Sequence, residues 1–151
     1  MAIRQRRTWS AQERVRALPG FPGLEHRWCG PWGSEDQDRR RADLGGTPSA
    51  PSTQHWPAAE PLVVALRAAA AEVPAGRGFA RLSDEPEAGW VEASLSDLLQ
   101  ATATVLAVLQ QGLVILAEDD RALLLDVTRG ADGRASCDTT LIGDWPAGTL
   151  A

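Results

Sequence analysis

Two histidines and two cysteines are the residues best suited to hold a metal ion: His26, Cys29, His55 and Cys137. His26-x-x-Cys29 has the spacing of a ligand pair, since two intervening residues let one loop present both donors. His55 and Cys137 are scattered, whereas structural zinc sites carry two tight pairs. Asp120, Asp126, Asp132, Asp138 and Asp144 recur every six residues. A calcium loop needs alternating acidic residues with a glycine, and that pattern is absent. A β-helix needs an aliphatic residue at a fixed place in each repeat, but Leu124, Gly130, Ser136, Ile142 and Gly148 occupy the matching place. These aspartates read as turn and strand-edge residues. No nucleophile elbow, phosphate loop, glycine-rich nucleotide fingerprint or HExxH pattern occurs. Both histidines fall in a stretch expected to be irregular, a poor place to hold catalytic geometry. No catalytic, cofactor-binding or metal-binding residue is assigned, and no cofactor is expected.

Trp28-Cys29-Gly30-Pro31-Trp32 resembles the WCGPC active site of thioredoxins. That chemistry needs a thiol of lowered pKa at a helix start and a second thiol to resolve the mixed disulfide. Trp32 stands where the second Cys would be. The preceding Gly20-Phe21-Pro22-Gly23 predicts no strand leading into the motif. Gly112-Leu113-Val114, Asp120-Arg121 and Thr128 resemble the wing of winged-helix regulators of the multiple-antibiotic-resistance type. That resemblance implies an Arg121 reaching a minor groove. Ala122 stands where a second Arg is usual, and residues 94–111 are too short for a helix-turn-helix.

The elements that position these groups are clearest after residue 58. Leu62, Val63, Leu66, Ala69, Ala70 and Val73 recur at helical spacing, with Pro61 in the first turn. Gly78–Leu82 and Trp90–Ala93 read as two short strands around a turn. Ser94 with Asp97 caps a helix whose stripe runs Leu95, Leu98, Leu99, Thr102, Leu106, Leu109, and Gly112 is its expected stop. Leu113–Ala117, Ala122–Val127 and Arg134–Thr140 read as three strands, with Asp132-Gly133 as a hairpin turn. The predicted class is α+β: a small, mostly antiparallel sheet of three C-terminal strands plus a short hairpin, covered by two helices. The element order resembles roadblock and profilin-like scaffolds, which implies a protein-interaction platform.

Composition divides the chain near the same point. Of 151 residues, 15 are basic, all Arg, against 20 acidic, for a net charge of −5. Residues 1–57 carry nine Arg and six acidic residues, and residues 58–151 carry six Arg and fourteen acidic residues. Half of the 24 Gly and Pro residues fall within 19–57, which predicts a long irregular N-terminal arm over 1–57, a domain over 58–146 and a tail over 147–151. One short helix, with Ser10 and Glu13 as a capping box and Ala11, Val15 and Leu18 on one face, is expected before Pro19-Gly20. The acidic domain argues against nucleic acid. No uncharged apolar stretch is long enough to span a membrane. Two distant cysteines fit a reducing compartment, and with no secretory signal the cytoplasm is the expected location.

Trp9, Trp28, Trp32 and Trp56 fall in the arm, with Arg39, Arg40 and Arg41 as its tightest basic cluster. Trp and Arg are favoured interface anchors. The expectation is a non-enzymatic interaction or assembly module whose arm docks through these seven residues on a protein partner or a neighbouring copy. The alternative is a winged-helix-like DNA-binding regulator.

Overall fold

The computed structural model describes residues 2–21, 27–43, 51–118 and 120–150. The elements, in order, are α1 (Ala2–Arg16), β1 (Arg27–Trp28), α2 (Pro31–Asp43), β2 (Ser52–Trp56), α3 (Ala59–Glu72), β3 (Arg77–Leu82), a 3-10 turn (Pro86–Ala88), β4 (Val91–Ser94), α4 (Leu95–Val105), β5 (Gly112–Ala117), β6 (Ala122–Arg129) and β7 (Ala135–Ile142). The strands form one seven-stranded sheet in the order β1-β4-β3-β5-β6-β7-β2. Every pairing in it is antiparallel.

The expected small sheet and the expected irregular arm are both overturned. Among the described residues, those before residue 58 supply two of four α-helices and both outermost strands of the sheet. The physical reason lies in where Gly and Pro fall. Most of those among the described residues punctuate elements: Pro19 and Gly20 follow α1, Pro31 is the first residue of α2, and Pro51 and Pro57 bracket β2, with Gly33 the exception inside α2. A proline at a first helical position or beside an edge strand loses no needed hydrogen bond. The predicted capping box at Ser10 is also absent, because α1 begins eight residues earlier and Ser10 lies inside it.

The apolar strand residues alternate between two faces. Gly78, Ala80 and Leu82 of β3 are buried, and a Cβ on Gly78 would sit 3.0 Å from Leu98 of α4. This front face also carries Leu113, Ile115, Leu123, Leu125, Val127 and Cys137, and it forms one core with Leu62, Leu66, Leu95, Leu98, Leu99 and Trp56. The back face carries a smaller cluster of Trp90, Leu116, Ala122 and Ile142, with Phe79, Val114 and Leu124 packed against it. Burial on both faces explains why β5 and β6 read as apolar runs without alternation.

Ser94 caps α4 as expected, accepting from the Asp97 amide at 3.1 Å. The helix nevertheless ends at Val105, well short of Gly112. Arg129 of β6 engages the carbonyls just past its end: the guanidinium donates to Ala107 O at 2.8 Å, Leu109 O at 2.9 Å and Leu106 O at 3.2 Å. Asp84 accepts from the amides of Gln110, Gln111 and Gly112 at 2.7, 2.8 and 3.1 Å. A strand arginine and a turn carboxylate thus satisfy the backbone groups that a longer helix would have paired.

Candidate interaction surface on the N-terminal helix

α1 divides into a docked half and a projecting half. Ala11 and Val15, four apart, are buried together with Phe21. Gln12 donates to Ala88 O at 3.2 Å, and Arg14 grips Glu85 through two bonds of 2.7 and 2.9 Å. That bond to Glu85 raises Arg14 above the ordinary guanidinium value, so its charge is fixed. Gly20, at φ +88°, brings the chain out of the helix close to Ala101 and Thr104 of α4, where any Cβ would crowd.

Residues 3–7 are exposed throughout. Ile3 and Trp9 keep 68% and 62% of their surface in solvent, unusual for apolar side chains this large. Arg4, Arg6 and Arg7 lie between them. Ile3, Arg7, Ser10 and Arg14, at spacings of four, three and four, share one flank. With Arg6 and Glu87 they line an open groove of about 300 Å³. Guanidinium groups beside a hydroxyl and an aliphatic side chain suit a carboxylate-bearing partner, since each guanidinium can donate two parallel bonds to a carboxylate.

The other residues selected from the sequence serve the fold to different degrees. Trp56 is buried in β2, its Nε1 donating to Thr139 Oγ1 at 2.9 Å. Trp28 is half-buried in β1, with the Arg16 guanidinium 6.0 Å from its ring centre. Trp32 is the second residue of α2, and its side chain lies outside the described residues. Arg40 crosses onto the back face: it donates to Ala117 O, stands 5.7 Å from the centre of the Phe79 ring and lies 3.9 Å from Asp120. Arg39 points outward and pairs with Asp36 at 3.0 Å. Arg41 is half-buried near the end of α2. The seven residues are therefore not gathered in one place.

Cys29 sits between β1 and the start of α2, so the expectation of no strand before the motif is corrected. Two residues of strand are enough, because Cys29 N also pairs with Trp90 O at 2.9 Å. Burial, and after it the Glu92 charge, pushes the Cys29 thiol up, against the direction a redox nucleophile needs. His26 lies outside the described residues. His55 and Cys137 cannot share an ion: His55 pairs with Asp138 on the back face, whereas Cys137 is buried in the front core opposite Trp56. Among the described residues, no group of three or more His, Cys, Asp or Glu is placed to hold a metal ion. His55 Nδ1 lies 2.8 Å from Asp138 Oδ1, but both side chains are at least half exposed on an open sheet face. The β5–β6 hairpin lies mid-sheet between β3 and β7, and Arg121 stacks 5.1 Å from the Trp145 ring centre. Among the described residues, no helix is long and apolar enough to cross a membrane.

No family model, curated protein or solved structure matches the chain.

Proposed function

We propose that this chain is a non-enzymatic protein-interaction module of the cytoplasm, which docks through the leading half of α1 on an acidic surface of a partner protein. The observation that carries this reading is the pair of exposed apolar side chains, Ile3 and Trp9, set among Arg4, Arg6 and Arg7 on a helix whose other half is packed down. An indole and several guanidinium groups are the side chains that contribute most at protein interfaces. The acidic remainder of the chain opposes the long continuous run of phosphates that a nucleic acid presents, so a short acidic patch on a protein is the better match for these guanidinium groups. Ile3 and Trp9 are six residues apart and fall on different faces of α1. That arrangement suits a partner that wraps the helix end better than a flat bilayer, which needs one continuous apolar stripe.

Point substitutions test this better than truncation, since residues 1–57 hold both edge strands. A fluorescent glutamate-rich peptide and a duplex DNA oligonucleotide are titrated against the full chain and against the Trp9→Ala and Arg6→Glu/Arg7→Glu variants. Preferential peptide binding, lost at least tenfold in both variants with unchanged circular dichroism, is the expected result. Equal binding by the variants, or stronger binding of DNA, sinks the reading. Sedimentation velocity of the chain alone reports whether a second copy supplies the acidic surface.

A further inference from the structure

We propose that α2 is a releasable strap, which closes over an apolar patch of the sheet's back face and opens as a unit while the sheet stays folded. The patch is Trp90, Phe79 and Leu116, and Trp90 and Leu116 are almost fully buried. The helix lying against it is poorly matched to such a surface. Of its 13 residues, PWGSEDQDRRRAD, seven are charged and only Pro31, Trp32 and Ala42 are apolar. Its described contacts are made by polar side chains at full stretch. Asp38 accepts from Trp90 Nε1 at 2.9 Å and pairs with Arg81 at 3.1 Å. Arg40 reaches Ala117 O and the Phe79 ring, and is steadied by Gln37 at 2.8 Å.

These contacts are of the kind that water and salt replace readily. The Asp38–Arg81 pair is more than a third exposed on both sides, and exposed ion pairs contribute little. A 13-residue helix containing Gly33 is marginal by itself, so it depends on those contacts to persist. The sheet beneath does not depend on α2, because β3, β5 and β6 are paired on both sides and packed on the front by α4. A segment fastened by solvent-accessible ion pairs and polar bonds, as the described contacts of α2 are, can open separately from the core. Gly30, with open space around it, precedes the helix as a pivot, and Cys29 N stays tied to Trp90 O at 2.9 Å. Opening uncovers Trp90 and widens the exposure of the half-buried Phe79 beside it.

Hydrogen exchange followed by mass spectrometry on the full chain is the test, with the dye ANS as a probe for the uncovered patch. The expected result is α2 amides that are protected, yet exchange at least 100-fold faster than those of β5 and β6. Asp38→Ala is expected to speed α2 exchange about tenfold further, to leave β5 and β6 unchanged and to raise ANS fluorescence. Asp38→Asn, which removes the charge facing Arg81 but keeps an oxygen for Trp90 Nε1, gives a smaller acceleration confined to α2 and serves if the first variant misfolds. The proposal is overturned if α2 exchanges as slowly as β5 and β6, or if it is unprotected in the wild type. It is equally overturned if the substitutions leave α2 unchanged or speed exchange in α2 and the sheet alike.

Discussion

Asp126 and Asp138 stand directly opposite each other on β6 and β7, two carboxylates facing across one antiparallel rung. Asp132 lies at the midpoint of the connecting turn, where its carboxylate accepts from the Arg134 amide at 3.0 Å. The six-residue recurrence of aspartates is thus folded back on itself by the hairpin. Like charges facing across a rung oppose folding, and His55 relieves only Asp138. Asp126→Asn is expected to stabilise the protein by about 0.2–1 kcal/mol. The gain should shrink at high salt. Urea denaturation at two salt concentrations measures both; a loss of stability would show that Asp126 has a favourable contact.

Glu92 is buried between Arg27 and Arg77, which bond to its two oxygens. The Arg27 hydrogen bond, chiefly, holds its carboxyl below the ordinary range despite an opposing effect of burial. A lowered folded-state pKa means that the contribution is complete above the unfolded value of about 4.3 and is lost as pH falls through the folded value. Glu92→Gln should cost about 1 kcal/mol or less near neutrality, because Arg27 and Arg77 are 74% and 43% exposed and water screens the pairs. It should also flatten the decline in stability below about pH 4. Denaturation midpoints from pH 6 to 3 are the measurement.

The Cys29 thiol is held up first by burial and then by the Glu92 charge. Alkylation by iodoacetamide at pH 7.5 should be slower than that of an unfolded-chain cysteine, since only the thiolate reacts. Glu92→Gln should speed it. Rapid labelling of the wild type at pH 6.5 would instead indicate a depressed pKa and reopen a redox role.

Two glycines of positive φ are expected to respond very differently to alanine. At Gly112, φ +135°, a Cβ would fall 1.9 Å from Leu125 O on the paired strand. Gly112→Ala should destabilise by about 4 kcal/mol or more, the range reserved for severe disruption. At Gly133, φ +79°, a Cβ meets nothing within 4 Å. Gly133→Ala should therefore cost only the left-handed strain of about 1–2 kcal/mol. Thermal melts of the pair separate collision from strain.

Trp56→Phe removes the donor to Thr139 while keeping an aromatic ring in the core. Leaving Thr139 unpaired in a buried position should cost about 1–3 kcal/mol. Loss of protection confined to the β2 amides would identify Trp56 as the anchor of that strand.

Hydrophobic period carried most of the folded body in advance. Leu62 to Ala70, the Ser94 cap and the runs at Leu113–Ala117 and Ala122–Val127 each fall in the element expected of them, whereas Val73 lies just past the end of α3. The first 57 residues were illegible because their elements are short, polar and stabilised at long range. β1 is two residues paired to β4, and β2 has four exposed residues and one buried Trp whose partner, Thr139, is 83 positions away. α2 carries almost no apolar signal, since it lies on the sheet through Asp38 and Arg40. The candidate surface was legible only in part: Trp9 was singled out by residue type, whereas Ile3, Arg6 and Arg7 needed the position of the helix. A cluster of Arg6 and Arg7 beside an isolated apolar residue ahead of the buried stripe was the available signal.

Because β1 and β2 border strands that come much later in the chain, the order of synthesis runs against the order of assembly. The outer strands leave the ribosome first, yet β2 has nowhere to dock until β7 follows some 80 residues behind it. β2 must therefore stay unpaired until β7 has emerged, whereas β1 can pair as soon as β4 is present, and the β6–β7 hairpin sets the moment at which that edge of the sheet closes.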